Sequence, residues 1–279
     1  METITEFVEA NETLFDYCHY EYSPKVPAAG KLRSSSLLFH SFAALNQERQ
    51  YYDVVQAIRA RIGINNTVWG IKKINDQFSY EFYFYNTTWE PEERLSSVAG
   101  ILEAVAPYYR CNARPNEQLP YFMFSLDFPP GFSRLEIPGV HLYTGSFAYY
   151  CDAGGMTLEN HYSFYDPGPD RDKITRDVWK SAFVDYSSVD IREILIPELI
   201  SCKSVCRSHK PRNDGIYYSG ISPAQFLFFL KRFEYPEPII AWISDNQARL
   251  DHLQYDIGFD YTMESGRIKI LKSGYYGVF

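Results

Sequence analysis

Residues 67–85, TVWGIKKINDQFSYEFYFY, constrain the fold more than any other stretch of the chain. Two runs of strand-forming residues flank Asn75-Asp76, a pair that tolerates positive φ and predicts a two-residue hairpin turn. That turn sets Lys73 opposite Phe78, Lys72 opposite Ser79 and Gly70 opposite Glu81, and residues paired directly across a ladder share a face. One face then carries Lys72, Ser79, Glu81, Tyr83 and Tyr85. The other carries Trp69, Ile71, Phe78, Tyr80, Phe82 and Phe84, an apolar surface suited to packing on helices. A three-residue turn would put Lys73 in the place of Lys72.

The same kind of unit recurs. Strand pairs are predicted at 67–74 with 78–85, at 119–128 with 140–150 and 156–165, at 202–209 with 214–220, and at 254–263 with 267–278. Helical periodicity falls at 3–17, 43–62, 169–184, 189–200, 222–233 and 237–251, with helix entries at Ser222-Pro223 and Glu237-Pro238, and a helix entered at Glu90-Pro91-Glu92-Glu93 runs to about Pro107. The order is helix, hairpin, helix, repeated, and not βαβ alternation, so a doubly wound parallel sheet is disfavoured. Repeated α-β-β-α units predict an α+β fold in which about ten antiparallel strands close into a barrel with the helices on its outside. No composition change marks a boundary, so residues 1–279 read as a single domain.

Composition narrows the function classes. Of the 279 residues, 24 are Tyr, 20 Phe and 4 Trp, and the net charge is −8. An acidic chain lacks the phosphate-neutralising surface of a general nucleic-acid binder or a polybasic membrane-surface protein. No apolar run reaches the length of a membrane span, and the N-terminus lacks the pattern of a secretory signal. Cys18, Cys111, Cys151, Cys202 and Cys206 are odd in number and scattered, which disfavours a disulfide framework and a CxxC zinc site. The expectation is a cytoplasmic monomer.

The later hairpins repeat the mixture of tyrosine and cation. With a turn at Glu264-Ser265, one face of the last hairpin carries Asp256, Asp260, Arg267, Lys269, Ser273 and Tyr275. The strand CKSVCRSH alternates Lys203, Val205, Arg207 and His209 against Cys202, Ser204, Cys206 and Ser208, and its partner offers Tyr217 or Tyr218. Polar residues alternating on an antiparallel strand ordinarily face water. Inside a closed barrel the same residues need partners, because a buried cation requires an anion. A diphosphate would serve. Glu159, His161 and His141 offer a separate metal or acid–base grouping on neighbouring strands.

In Gly70-Ile71-Lys72-Lys73 leading into a tyrosine-rich hairpin, Tyr217-Tyr218-Ser219-Gly220, the terminal Lys269…Tyr275-Tyr276, and the element order over residues 40–279, the chain resembles the aromatic prenyltransferases of the αββα-barrel (ABBA) type. The resemblance implies transfer of a prenyl group from an allylic diphosphate to an aromatic or peptide-borne acceptor. It makes Lys72, Lys203, Arg207, Arg267 and Lys269 diphosphate ligands, Tyr83, Tyr217 and Tyr275 shields of the allylic carbocation, and Glu81 the acidic residue that orients or deprotonates the acceptor. No cofactor is required on this reading, no protein metal site is expected, and assistance by Mg²⁺ is left open. The stretch 129–139 departs from a clean two-strand unit and leaves the strand count unsettled. The alternative class is a non-enzymatic protein whose tyrosine-rich concave sheet holds a hydrophobic small molecule or a peptide. A purely structural domain is a third.

Overall fold

The computed structural model describes residues 4–16, 19–86, 96–116, 118–128 and 136–279, apart from the side chains of 48–50. Cys18, the helix entry at 90–93 and the Pro129-Pro130-Gly131 cluster lie outside the described residues. The strands are β1 (Thr67–Ile74), β2 (Gln77–Tyr85), β3 (Arg110–Cys111), β4 (Met123–Phe128), β5 (Glu136–Ile137), β6 (Val140–Thr144), β7 (Phe147–Asp152), β8 (Gly155–Tyr165), β9 (Ser204–His209), β10 (Asp214–Ile221), β11 (Tyr255–Glu264) and β12 (Arg267–Val278). All but β3 and β5, which pair with each other, close into one antiparallel barrel of ten strands, arranged in their order along the chain. The expected barrel is therefore present.

Seven helices accompany it among the described residues: α1 (Ser34–Ala44), α2 (Glu48–Ile62), α3 (Val98–Val105), α4 (Arg171–Trp179), α5 (Pro223–Arg232), α6 (Glu237–Asp245) and α7 (Gln247–Leu250). Alternation along each strand sends one set of side chains outward. Trp69, Ile71, Phe82, Phe84, Phe124, Ile216, Ile257 and Phe259 belong to that set and form one buried core with helix residues such as Leu38, Phe42, Phe226 and Phe229. Helix α1 packs on β12 and α5 on β11. Ser222 caps α5 in a reciprocal capping box with Gln225, with Pro223 at its start, as the entry at Ser222-Pro223 predicts. No helix among the described residues is long and apolar enough to cross a membrane.

Several local expectations fail for identifiable reasons. Described residues of the predicted 3–17 helix form no helix: Phe7 bridges to Leu32 and Phe15 to Glu21, with a turn at Ala10-Asn11 between them; these pairings override a weak periodicity. The 189–200 helix reduces to the single 3₁₀ turn Ile191–Glu193, and Pro197 lacks the N–H an onward helix needs. The predicted strand 140–150 is two strands, β6 and β7, joined through Gly145 at φ 58°.

Candidate active site

The turn at Asn75-Asp76 forms as predicted, with Asn75 at φ 55° and Gly70 opposite Glu81. The face bearing Lys72, Glu81, Tyr83 and Tyr85 is the lumenal one. Following the ladders around the barrel adds Ser125 and Asp127 on β4, His141 and Tyr143 on β6, Tyr162 on β8, Tyr217 on β10, Asp256 and Asp260 on β11, and Lys272 and Tyr276 on β12. These groups segregate along the axis. Charged side chains other than Asp256, which stands opposite Tyr276, gather toward the end of the Asn75-Asp76 turn. Tyr83, Tyr85, Met123, Tyr143 and Tyr276 form a separate buried cluster toward the other end, with Tyr162 and Tyr217 packed against it.

At the charged end, Glu81 and Asp127 stand directly opposite one another on β2 and β4. The Lys72 ammonium lies 2.6 Å from Asp127 Oδ2 and 3.2 Å from Glu81 Oε2. Ser125 Oγ donates to Glu81 at 3.4 Å. Nε2 of His141, on the next strand, lies 3.0 Å from Glu159 Oε2. Burial, reinforced by the Asp127 charge, pushes the Glu81 carboxyl above the ordinary carboxylate range despite Lys72. Burial acts against ionisation of Asp127 too, but Lys72 and His141 outweigh it and hold that carboxyl well below its usual range. Two adjacent carboxyls thus have their affinities for protons driven apart, the arrangement by which acid and base roles are separated. Burial lowers and Glu159 and Asp127 raise the affinity of His141 for its proton, with a net upward shift.

A second group adjoins the first. Lys210, just past β9, lies 2.7 Å from Asp260, and Lys272 lies 3.2 Å from the same carboxylate. Tyr217 Oη donates to Asp260 at 3.3 Å. Lys72, Lys210 and Lys272 therefore converge on one end of the lumen, each already matched to a carboxylate. Above them the tyrosine rings touch edge to face or at a tilt: Tyr83 to Tyr276 at 5.9 Å, Tyr83 to Tyr143 at 6.1 Å and Tyr143 to Tyr162 at 6.2 Å. Lumenal glycines make room for them. A Cβ on Gly70 would stand 2.6 Å from the Tyr276 ring, and one on Gly258 would stand 2.1 Å from Tyr217. A separate cleft of about 510 Å³, lined by Leu102, Tyr109, Arg110 and Arg114 among others, lies beside α3 and contains none of these groups.

Of the residues singled out from the sequence, the structure brings Lys72, Glu81, Tyr83 and Tyr217 together in the lumen. The other five lie elsewhere. Arg207 pairs across the ladder with Ile216, not with Tyr217, so it points outward; it is fully buried there, bound to Asp214 at 2.9 Å and to the Asp177 carbonyl at the end of α4. Lys203 precedes β9, is half exposed and pairs with Asp16 of the N-terminal segment. Arg267 and Lys269 lie beside the last turn and are exposed, Lys269 being paired with Glu264 at 2.8 Å. Tyr275 faces the helices and is hydrogen-bonded to Ser41 at 2.8 Å.

The errors in the last hairpin have two causes. Its turn is Ser265-Gly266, with Glu264 opposite Arg267, and Arg267 and Lys269 stand exposed beside it, while a bulge at Leu271 reverses the facing of the residues beyond. Lys272 and Tyr276 thereby face inward, and Tyr275 outward. Asp127 and Lys210 were missed as well. Glycine in strand interiors was the unread signal: Gly70, Gly215, Gly258 and Gly274 all fall on the lumenal face. The His141–Glu159 pairing is present, whereas His161 points outward beside Phe147 and His209.

Glu81, Asp127 and His141 each bring a ligand-type atom within 4.8 Å of the other two. These residue types suit a divalent cation, but the Lys72 ammonium already bridges Glu81 and Asp127. A metal ion there would face a buried like charge, so the residues do not fit one while Lys72 keeps its proton.

No family model matches the chain. A putative JmjC domain-containing protein, L887, of Acanthamoeba polyphaga mimivirus is 20% identical over 307 aligned residues, covering 94% of this chain and 49% of that protein. The chain thus spans about half the length of the curated relative it matches, whose name describes the longer protein.

Proposed function

We propose that the barrel is an enzyme that transfers a prenyl group from an allylic diphosphate to an aromatic or peptide-borne acceptor held in its lumen. The observation that carries this reading is the stacking of three lysines, Lys72, Lys210 and Lys272, beneath a cluster of lumenal tyrosines with the buried Glu81 between them. On this reading the lysines hold the diphosphate in place of Arg207, which points outward, and of Lys203, Arg267 and Lys269, which stand away from the lumenal cluster. Tyr83, Tyr217 and Tyr276 offer π faces to the allylic cation once the C–O bond to diphosphate breaks, and the closed wall keeps water from it. Glu81 orients the acceptor and takes the proton it loses. Asp127 and Asp260 keep the lysines charged before the diphosphate arrives.

A second reading rests on the same pairings. Each lumenal lysine already has a carboxylate within 3.2 Å, so a non-enzymatic protein that holds an aromatic small molecule among the tyrosines needs no anionic ligand. Calorimetric titration with a non-hydrolysable allylic thiodiphosphate separates the two. Prenyl transfer predicts binding that weakens at least about tenfold in Lys272→Ala and is unchanged in Arg267→Ala. No binding to the wild-type chain removes the enzyme reading and leaves the carrier.

A further inference from the structure

Electrophilic substitution on an aromatic acceptor adds one proton to the lumen at every turnover. That proton is released into a barrel whose wall is closed and whose Glu81 is 4% exposed. The groups facing Glu81 are Lys72 from β1, Ser125 and Asp127 from β4, and, as more distant charges or dipoles, His141 from β6, Tyr162 from β8 and Lys272 and Tyr276 from β12. Of these, the Asp127 side chain is itself 30% exposed and that of Lys272 23%, and His141 leads on from Asp127 toward β8. His141, with Tyr150 packed 5.1 Å from its ring, reaches Glu159, whose side chain is 40% exposed.

Glu159 owes its position to an irregularity. Ala148 pairs with Asn160 and Tyr149 with Leu158, so Glu159 is the extra residue of a bulge in β8. Bulges re-aim side chains, and this one sets a carboxylate against His141 where the regular ladder has no position for it. Two atoms between the ends of the series, Asp127 Oδ1 and His141 Nδ1, are buried without a hydrogen-bond partner. They belong to side chains whose ligand-type atoms lie within 4.8 Å, the reach of one bridging water.

We propose that Asp127, His141 and Glu159 form a proton exit for Glu81, running from the lumen through the bulge of β8 to solvent. The inference rests on the reading of Glu81 as the group that takes the acceptor's proton. Each turnover breaks one bond to hydrogen on the acceptor, whose electrons return to the ring, and adds that proton to the Glu81–Asp127 pair. His141 gives a proton to Glu159 and regains one from the pair, and Glu159 loses one to water. No oxidant, reductant or metal takes part.

The test needs no substrate, so it stands or falls apart from prenyl transfer. A rapid jump from alkaline to acid pH, read by infrared spectroscopy, times the rise of the C=O band as the Glu81 carboxylate takes a proton, the band being assigned by its loss in Glu81→Gln. Glu159→Gln and His141→Gln are expected to slow that rise about tenfold or more, with imidazole restoring the rate in His141→Gly. The surface variant Glu264→Gln should match the wild type. The proposal is overturned by equal rates in all folded variants or by slowing in His141→Gly that imidazole does not relieve. Glu159 is partly exposed, so its variant keeps the test open if the His141 variants do not fold.

Discussion

Lys72 Nζ lies 2.6 Å from Asp127 Oδ2, across two strands and inside a closed barrel. A buried ammonium is tolerable only with its anions in place, so the pair is conditional in both directions. Lys72→Ala leaves Glu81 and Asp127 facing each other without a cation. Urea denaturation should show a loss of about 3–5 kcal/mol, and Lys72→Ala combined with Asp127→Asn should lose less than the sum of the two single changes.

Arg207 separates a structural cation from a ligand-binding one. It is buried between the barrel wall and α4, bound to Asp214 and the Asp177 carbonyl. Arg207→Met should lower stability by about 3–5 kcal/mol in urea while leaving thiodiphosphate affinity in the folded fraction unchanged. A loss of affinity with stability intact would return Arg207 to the site.

Asp256 gives a pH signature. Burial, with the Asp16 charge adding to it, raises its pKa to about 7 against a hydrogen bond from the Gly220 N–H, which is 2.7 Å from Oδ1. Its other oxygen is buried without a partner. The folded chain holds this proton more tightly than the unfolded one, so stability falls as pH rises from about 4 to about 7 and the deficit is complete above that. Asp256→Asn should be the more stable chain at pH 8 and should lose this component of the pH dependence, as melting temperatures across the range would show.

Gly258 tests the seating of the lumenal rings. A Cβ there meets Tyr217 at 2.1 Å, so Gly258→Ala must displace the ring or the strand. A cost of about 1–3 kcal/mol is expected in urea, together with a changed near-ultraviolet circular dichroism spectrum. An unchanged spectrum would mean that Tyr217 has room to move.

The legible parts of this fold were those encoded within a few residues. Asn75-Asp76 announced its turn, and from that turn the facings of Lys72, Glu81 and Tyr83 followed by alternation alone. Ser222-Pro223 announced α5 in the same local way. The facing of Tyr276 was not legible, since it depends on a bulge at Leu271; the turn, shifted by one residue, moves each partner by two and keeps the face. The one extra residue put Tyr276 in the lumen in place of Tyr275 and brought Lys272 there with it. Arg207 was misassigned for a different reason. Its partners Asp177 and Asp214 lie on α4 and β10, and only tertiary structure shows that the wall carries a buried cation on its outer side. The excess of tyrosine, likewise, serves both faces: Tyr80, Tyr218, Tyr261 and Tyr275 belong to the helix-covered core, and Tyr83, Tyr143 and Tyr276 to the lumen.

The strands of the barrel pair in the order in which the chain emits them, until β12 returns to β1 and Val278 meets Val68. During synthesis every ladder but this one can zip as soon as its second strand emerges. The seam must wait for β12, so the lumen with its lysines stays an open trough until that strand has been made. Deletion of β12 should therefore leave a wall with two exposed edges, prone to pair with other chains.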